Sequence, residues 1–203
     1  MAPPDVVAMT SSIFQAEAER AFQFLCDAGF TITDRAANAL HYENARSFVT
    51  ISWDPRSGEL NLYVGIGRDT GEPNDRFTLT DLLAMEKADL PEASRPFQVA
   101  DEGALRGCIE RLANDLRLYG QPVMTADPMY FRCLRTFRTK QSRIYMRDME
   151  LRRVRAEAET AWRKRDFPAA ARLFNSMMDD LTDAERAKLE YSNMRRHSKD
   201  AEE

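Results

Sequence analysis

Between Ile13 and Cys26 the apolar residues Ile13, Phe14, Ala18, Ala21, Phe22, Leu25 and Cys26 recur at three- and four-residue intervals, so they line one face of a helix. Ser11 or Ser12 is placed to cap that helix, and Gly29 to end it in a left-handed conformation. The period then shortens to two. FTITDR, ALHYEN, SFVTISWD and ELNLYVGIG are rich in β-branched and aromatic residues, and AAN, the Asn44-Ala45 region and Pro55-Arg56-Ser57-Gly58 separate them as turns. Val49, Ile51 and Trp53 share a face of one strand, as Leu60, Leu62, Val64 and Ile66 do on the next. The pattern predicts a four-stranded antiparallel meander with one face covered by the first helix.

After the hydrophilic RDTGEPND, Thr80-Asp81 opens a short helix that ends before Pro91, and PEASRPFQVA reads as irregular. Asp101 is a plausible N-cap for an amphipathic helix carrying Leu105, Cys108, Ile109, Leu112, Leu116 and Tyr119, stopped at Gly120 and Pro122. Beyond it all segments are helical. Asp127-Pro128 starts a helix from Met129 to Phe137, and the polar TKQS separates it from a longer one over 143–165. DFP breaks that one, Ala169 to Met178 follows, and Thr182 to Glu185 has the spacing of a capping box for a last helix. The fold class is α+β: an N-terminal helix, four-stranded meander and packing helices, then an all-α extension. The expected layout is a flexible tail at 1–11, an α+β domain at 12–124, a helical extension at 125–196 and a flexible tail at 197–203.

The chain of 203 residues is 43% hydrophobic and 31% charged, the balance of a globular protein able to bury a core. It shows neither an apolar run near the length of a membrane span nor a basic-then-apolar leader. Cys26, Cys108 and Cys133 are widely spaced and lack a CxxC pairing, which points to a reducing cytoplasm. Charge is uneven along the chain. Residues 1–131 carry 11 lysines and arginines against 20 aspartates and glutamates, net −9; residues 132–165 carry 12 against 4, net +8; residues 166–203 carry 6 against 9, net −3.

Two resemblances follow from particular residues. The segment around Asp166, Phe167, Ala170 and Phe174 is similar to one tetratricopeptide unit: Ala158 and Ala170 stand where that family uses small residues, and Phe167 and Phe174 where it uses aromatics. Met177 and Thr182 depart from its small residue and closing proline. The stretch from FLCDAGFTI through HYEN, Asp54-Pro55-Arg56-Ser57 and ELNLYVGIG to a helix ending in YG resembles a group of small, largely uncharacterised bacterial proteins, over residues 12–122. Some of these look like immunity proteins, and the resemblance implies binding and neutralisation of a toxin; it supplies no catalytic residue.

Chemistry at individual residues is sparse. His41 shares a strand face with Glu43, away from Leu40 and Tyr42, with no serine, cysteine or acid evidently fixed beside it. His197 lies in a polar tail. Gly65, Gly67 and Gly71 lack the strand-to-helix setting of a phosphate loop, and Asp69, Glu72 and Asp75 lack the alternation of a calcium loop. The sequence therefore predicts a non-enzymatic protein-binding module, without cofactor or membrane association, whose acidic surface engages a basic protein. Candidate contacts are Asp54, Glu59, Tyr63, Asp69, Glu72 and Asp75. The alternative is an adaptor or nucleic-acid-associated protein that uses the basic, aromatic-interleaved stretch 132–155, with Arg132, Arg135, Arg143 and Arg147 as anion contacts.

Overall fold

A computed structural model describes residues 4–67, 76–86, 97–99 and 101–200. The chain divides into two units, Met1–Arg138 and Thr139–Glu203.

In the first unit, helix α1 (Pro4–Ala21) begins upstream of Ser11 and Ser12, which lie inside it and do not cap it. Pro4 suits a first helical position because its missing N–H has no partner to lose there. After a break at Phe22, α2 (Gln23–Asp27) ends as the sequence indicates. Gly29 has φ +87°, its N–H bonds the Cys26 carbonyl at 3.0 Å, and the Phe30 N–H bonds the Leu25 carbonyl at 2.9 Å. This is the paired closure of a Schellman motif, with Leu25 and Phe30 both buried behind it.

The four expected strands are β1 (Thr31–Ala36), β2 (Ala39–Glu43), β3 (Ser47–Asp54) and β4 (Glu59–Ile66). Turn chemistry fixes their register. The Asn44 carboxamide oxygen accepts from the N–H groups of Arg46 and Ser47, both at 2.8 Å, and pairing then runs from Ser47 opposite Ile66 to Asp54 opposite Glu59. The sheet extends beyond four strands. Antiparallel β5 (Arg76–Thr78) joins β4 along Tyr63–Gly65, and β6 (Phe97–Gln98) pairs with the start of β4. Strands this short hold too few positions for an alternation to show in sequence.

One sheet face carries Leu40, Tyr42, Val49, Ile51, Trp53, Leu60, Leu62, Val64 and Phe77, all buried. More than the first helix covers it. The same core includes Phe14 and Ala18 of α1, Leu82 of α3 (Leu79–Glu86), Leu105, Ile109, Leu112 and Leu116 of α4 (Glu102–Tyr119), and Phe131 and Leu134. The cap of α3 lies two residues ahead of the expected Thr80: the Asp81 N–H donates to the Thr78 hydroxyl at 3.1 Å, and the Asp81 carboxylate accepts the Thr78 N–H at 2.8 Å. Asp101 caps α4 by accepting the Ala104 N–H at 2.8 Å. Pro122 does not end the helical path; it sits in the first turn of α5 (Gln121–Met124).

Helix α6 (Pro128–Arg163) is one unbroken element of 36 residues. Its cap is the expected one, the Asp127 carboxylate accepting the Met129 N–H at 2.8 Å. TKQS does not interrupt it, since Lys and Gln are good helix formers and neither Gly nor Pro is present. The division between units falls within α6, at Arg138/Thr139, and not at the loop 123–127, because Phe131 and Leu134 belong to the first core.

In the second unit, α7 (Phe167–Asn175), a 3-10 turn at Met178–Asp180 and α8 (Asp183–Asp200) follow α6. Leu151, Val154, Ala158, Ala170, Ala171, Phe174, Met177, Leu181 and Leu189 form their core. Asp166 caps α7 by accepting the Ala169 N–H at 3.1 Å. The capping box read at Thr182 is present: the Glu185 carboxylate accepts from the Thr182 N–H at 2.8 Å, and the Thr182 hydroxyl accepts from the Glu185 N–H at 3.3 Å. Helix α8 continues to Asp200, past the expected start of a tail at 197.

Candidate interaction surfaces

The sheet face opposite the helices follows from the register. His41, Thr50, Tyr63 and Thr78 form one cross-strand row, and Glu43, Phe48, Gly65 and Arg76 the next. His41 has fixed neighbours after all. Its Nδ1 lies 2.8 Å from the Thr50 hydroxyl, its Nε2 is 3.9 Å from the Glu43 carboxylate, and its ring stacks on Phe48 with centroids 5.7 Å apart. These partners come from strand pairing, so sequence spacing alone does not show them. The order hydroxyl, imidazole, carboxylate has the outline of an activated nucleophile. The outline is incomplete, since 3.9 Å exceeds a hydrogen bond and Thr50 is buried. The pairing serves the packing of the sheet.

Of the six acidic-surface candidates, Asp69, Glu72 and Asp75 lie outside the described residues. Asp54 and Glu59 are brought together as a directly opposed pair at the end of the β3–β4 hairpin, both exposed. The PRSG turn between them produces that opposition. The Asp54 carboxylate accepts the Arg56 N–H at 2.9 Å, and this bond first, with further help from Ser57, holds its pKa below the ordinary value. The Glu59 N–H donates to the Ser57 hydroxyl at 3.3 Å. Among the described residues neither carboxylate enters a salt bridge, although the Arg56 charge also favours ionised Asp54. Like charges placed directly opposite on a sheet repel. Tyr63 shares the Glu59 face of β4 but is half-buried, with the Arg76 guanidinium 4.0 Å from its ring centroid. It is therefore already occupied by a cation–π contact.

The four anion-binding candidates separate. Arg132 and Arg135 belong to the first unit, and Arg143 and Arg147 to the second. Arg147 is bound to the Asp180 carboxylate at 2.5 Å, a contact between segments 33 residues apart that spacing does not reveal. Arg132 and Arg143 are exposed and enter no ion pair among the described residues. Further along α6 the arginines are held in ion pairs. Arg152 pairs with Asp148 at 2.8 Å, Arg153 with Glu150 and Glu157 at 2.7 Å each, and Arg155 with Glu185 at 3.0 Å. The hydrogen bond from Arg153 is the main cause holding Glu150 below its ordinary pKa, and that from Lys188 does the same for Glu159. Burial opposes the charge on Glu185, but the Thr182 N–H and hydroxyl together with Arg155 outweigh it, so its pKa is also lowered.

Tyr191, which the sequence did not single out, completes an aromatic trio with Trp162 and Phe167. Ring centroids lie 5.4 to 5.5 Å apart, so the rings pack edge to face on one another and leave no space between them for a ligand cation. Among the described residues no group of three or more His, Cys, Asp or Glu is placed to hold a metal ion, and no helix is long and apolar enough to cross a membrane. Cys26, Cys108 and Cys133 are free thiols. No family model matches this chain, and no curated protein or solved structure does either.

Proposed function

We propose that the protein is a non-enzymatic protein-binding module, immunity-like in action, that sequesters a basic partner through the acidic surface of its first unit. The observation that carries this reading is the exposed opposition of Asp54 and Glu59 at the hairpin end, neither of them in a salt bridge among the described residues. Two like charges held face to face repel one another. A cationic partner relieves that repulsion and gains electrostatic complementarity. The partner class, a toxin, comes from the resemblance of residues 12–122 to immunity-like proteins, and the three free thiols suit action in a reducing cytoplasm.

In this reading the tetratricopeptide-like hairpin of α6 and α7 is structural. A recognition surface normally needs three or more stacked units, whereas Ala158, Ala170 and Phe174 close a small core of their own. The test is recovery of a stoichiometric partner from the source cell in low and high salt, with Glu59→Lys as the variant. Binding that weakens with salt and fails in the variant supports the proposal. Absence of a stoichiometric partner, or undiminished binding by the variant, rejects it. Exposed Arg132 and Arg143 support the alternative, an adaptor or nucleic-acid-associated protein; binding of DNA or RNA at low salt that Arg132→Ala and Arg143→Ala abolish would establish it.

A further inference from the structure

Helix α6 is tied down on both sides of its middle. The Arg138 guanidinium donates to the Arg76 carbonyl of β5 at 2.7 Å, and Arg147 pairs with Asp180. Between these anchors every residue from Thr139 to Met146 is exposed, and none enters either core. Lys140 to Met146 make no side-chain hydrogen bond or ion pair among the described residues. The charges of this span repel. Residues 132–147 contain no aspartate or glutamate, and Arg143 stands three residues after Lys140 and four before Arg147. Like charges at these spacings destabilise a helix. Thr139, Ser142, Ile144 and Tyr145 are also weaker helix formers than alanine or leucine. Beyond Arg147 the pattern reverses: Arg152 pairs with Asp148, Arg153 with Glu150 and Glu157, and Leu151, Val154 and Ala158 are buried. Most helical stability in proteins comes from such packing, so about two turns without it are marginal in water.

We infer that Thr139–Met146 is a charge-gated joint within α6: it opens locally while the helix on either side stays formed, and it closes when its cations are screened or neutralised. The boundary between the units, at Arg138/Thr139, lies at its N-terminal end. Helical turns on both sides remove the nucleation cost, so the span re-forms without a new nucleus. The balance is then set by the repulsion among Lys140, Arg143 and Arg147, which salt weakens. Asp180 offsets part of the Arg147 charge, and Lys140 with Arg143 remain uncompensated. Salt acts with the opposite sign on the turns that follow, where it weakens attractive pairs. Anions that gather on Lys140 and Arg143 therefore set the stiffness of the connection between the units. This device belongs to α6 alone and is independent of Asp54 and Glu59.

The test is amide hydrogen exchange of the full chain, read by mass spectrometry as protection in Thr139–Met146 against protection in Leu151–Ala158. In about 0.01 M sodium chloride, where the screening length is about 30 Å, the span should be about tenfold or more less protected. In about 1 M sodium chloride, where that length is about 3 Å, its protection should rise about twofold or more, while protection in Leu151–Ala158 holds or falls. Arg143→Glu turns both repulsive spacings into attractive ones and places a carboxylate ahead of Arg147, the favourable order. It should raise protection in the span about threefold or more at low salt, and Arg143→Lys should leave it unchanged. Position 143 is exposed, and circular dichroism checks that each variant folds. Equal protection of the two stretches overturns the inference. So does a span that fails to respond to salt or to Arg143→Glu, or that responds equally to Arg143→Lys.

Discussion

The two units are held together by different physics. The first buries large aromatic and branched side chains between a sheet and its helices, including Phe14, Phe22, Tyr42, Trp53, Phe77 and Phe131. The second has a leaner core in which Ala158, Ala170 and Ala171 let helices approach closely around Phe174. Ion pairs between distant segments occur in both units: Arg147 to Asp180, Arg155 to Glu185 and Lys188 to Glu159 in the second, and Arg20 to Glu110, Arg106 to Glu17 and Arg35 to Glu19 in the first. Partly exposed pairs of this kind each contribute only about 0 to 1 kcal/mol. The second unit therefore rests on few apolar contacts, and each matters more.

The strongest way to separate the units is Phe174→Asp. Burying a carboxylate in a core of this size is expected to cost about 4 kcal/mol or more. Amide resonances of α7 and α8 should collapse while those of β2 to β4 persist; simultaneous loss of both would break the comparison. In the first unit Gly120→Ala is next. An added Cβ would lie 2.4 Å from the Leu116 carbonyl oxygen and 2.5 Å from its Cδ1, and the strain should cost about 1 to 3 kcal/mol in denaturant unfolding. Tyr42→Phe should do the opposite. The Tyr42 hydroxyl is buried without a partner among the described residues, and burial raises its pKa far above the ordinary value, so its removal should stabilise the first unit by about 1 kcal/mol. A loss of stability would mean that the hydroxyl is satisfied.

The smallest effect concerns pH: three carboxylates with lowered pKa lie in the second unit, against Glu17 and Asp54 in the first. Glu150, Glu159 and Glu185 have folded pKa values below the ordinary 4.5. Their contribution is fully present above the unfolded pKa and is lost as pH falls through the lowered folded values. Hydrogen exchange in α7 and α8 should thus accelerate relative to β3 and β4 on acidification. Equal acceleration in both units would remove the electrostatic half of the comparison.

Local chemistry made much of this fold readable. The strands announce themselves by alternation. Asp101, Asp127 and Thr182 with Glu185 cap helices through bonds to groups at most three residues away, and Gly29 marks its stop by residue type. The left-handed residues Ala126 and Arg165 were not readable as stops, although Asp166-Phe167-Pro168 marked the break after the second. Both adopt left-handed backbone, φ +53° and +58°, and both close with the bond pattern seen at Gly29: Asp127 N–H to the Pro122 carbonyl at 2.9 Å and Asp166 N–H to the Ala161 carbonyl at 3.0 Å. A non-glycine residue there gives no signal and costs about 1 kcal/mol. The continuity of α6 was hidden for a different reason. A helix exposed on all sides has no apolar period to detect. At the surfaces, the Asp54–Glu59 opposition follows from the hairpin turn, whereas Arg76 over Tyr63 and Arg147 on Asp180 depend on tertiary contacts.

The proposed binding role of the first unit predicts that its acidic pair serves a partner and not the fold. Asp54→Asn with Glu59→Gln keeps the oxygen that accepts from the Arg56 N–H and removes only charge. Because the fold holds the Asp54 pKa below its ordinary value, loss of the charge should leave thermal unfolding at the same or a slightly lower temperature, while capture of the stoichiometric basic partner from the source cell is lost. A double variant that still captures the partner in full would contradict the account.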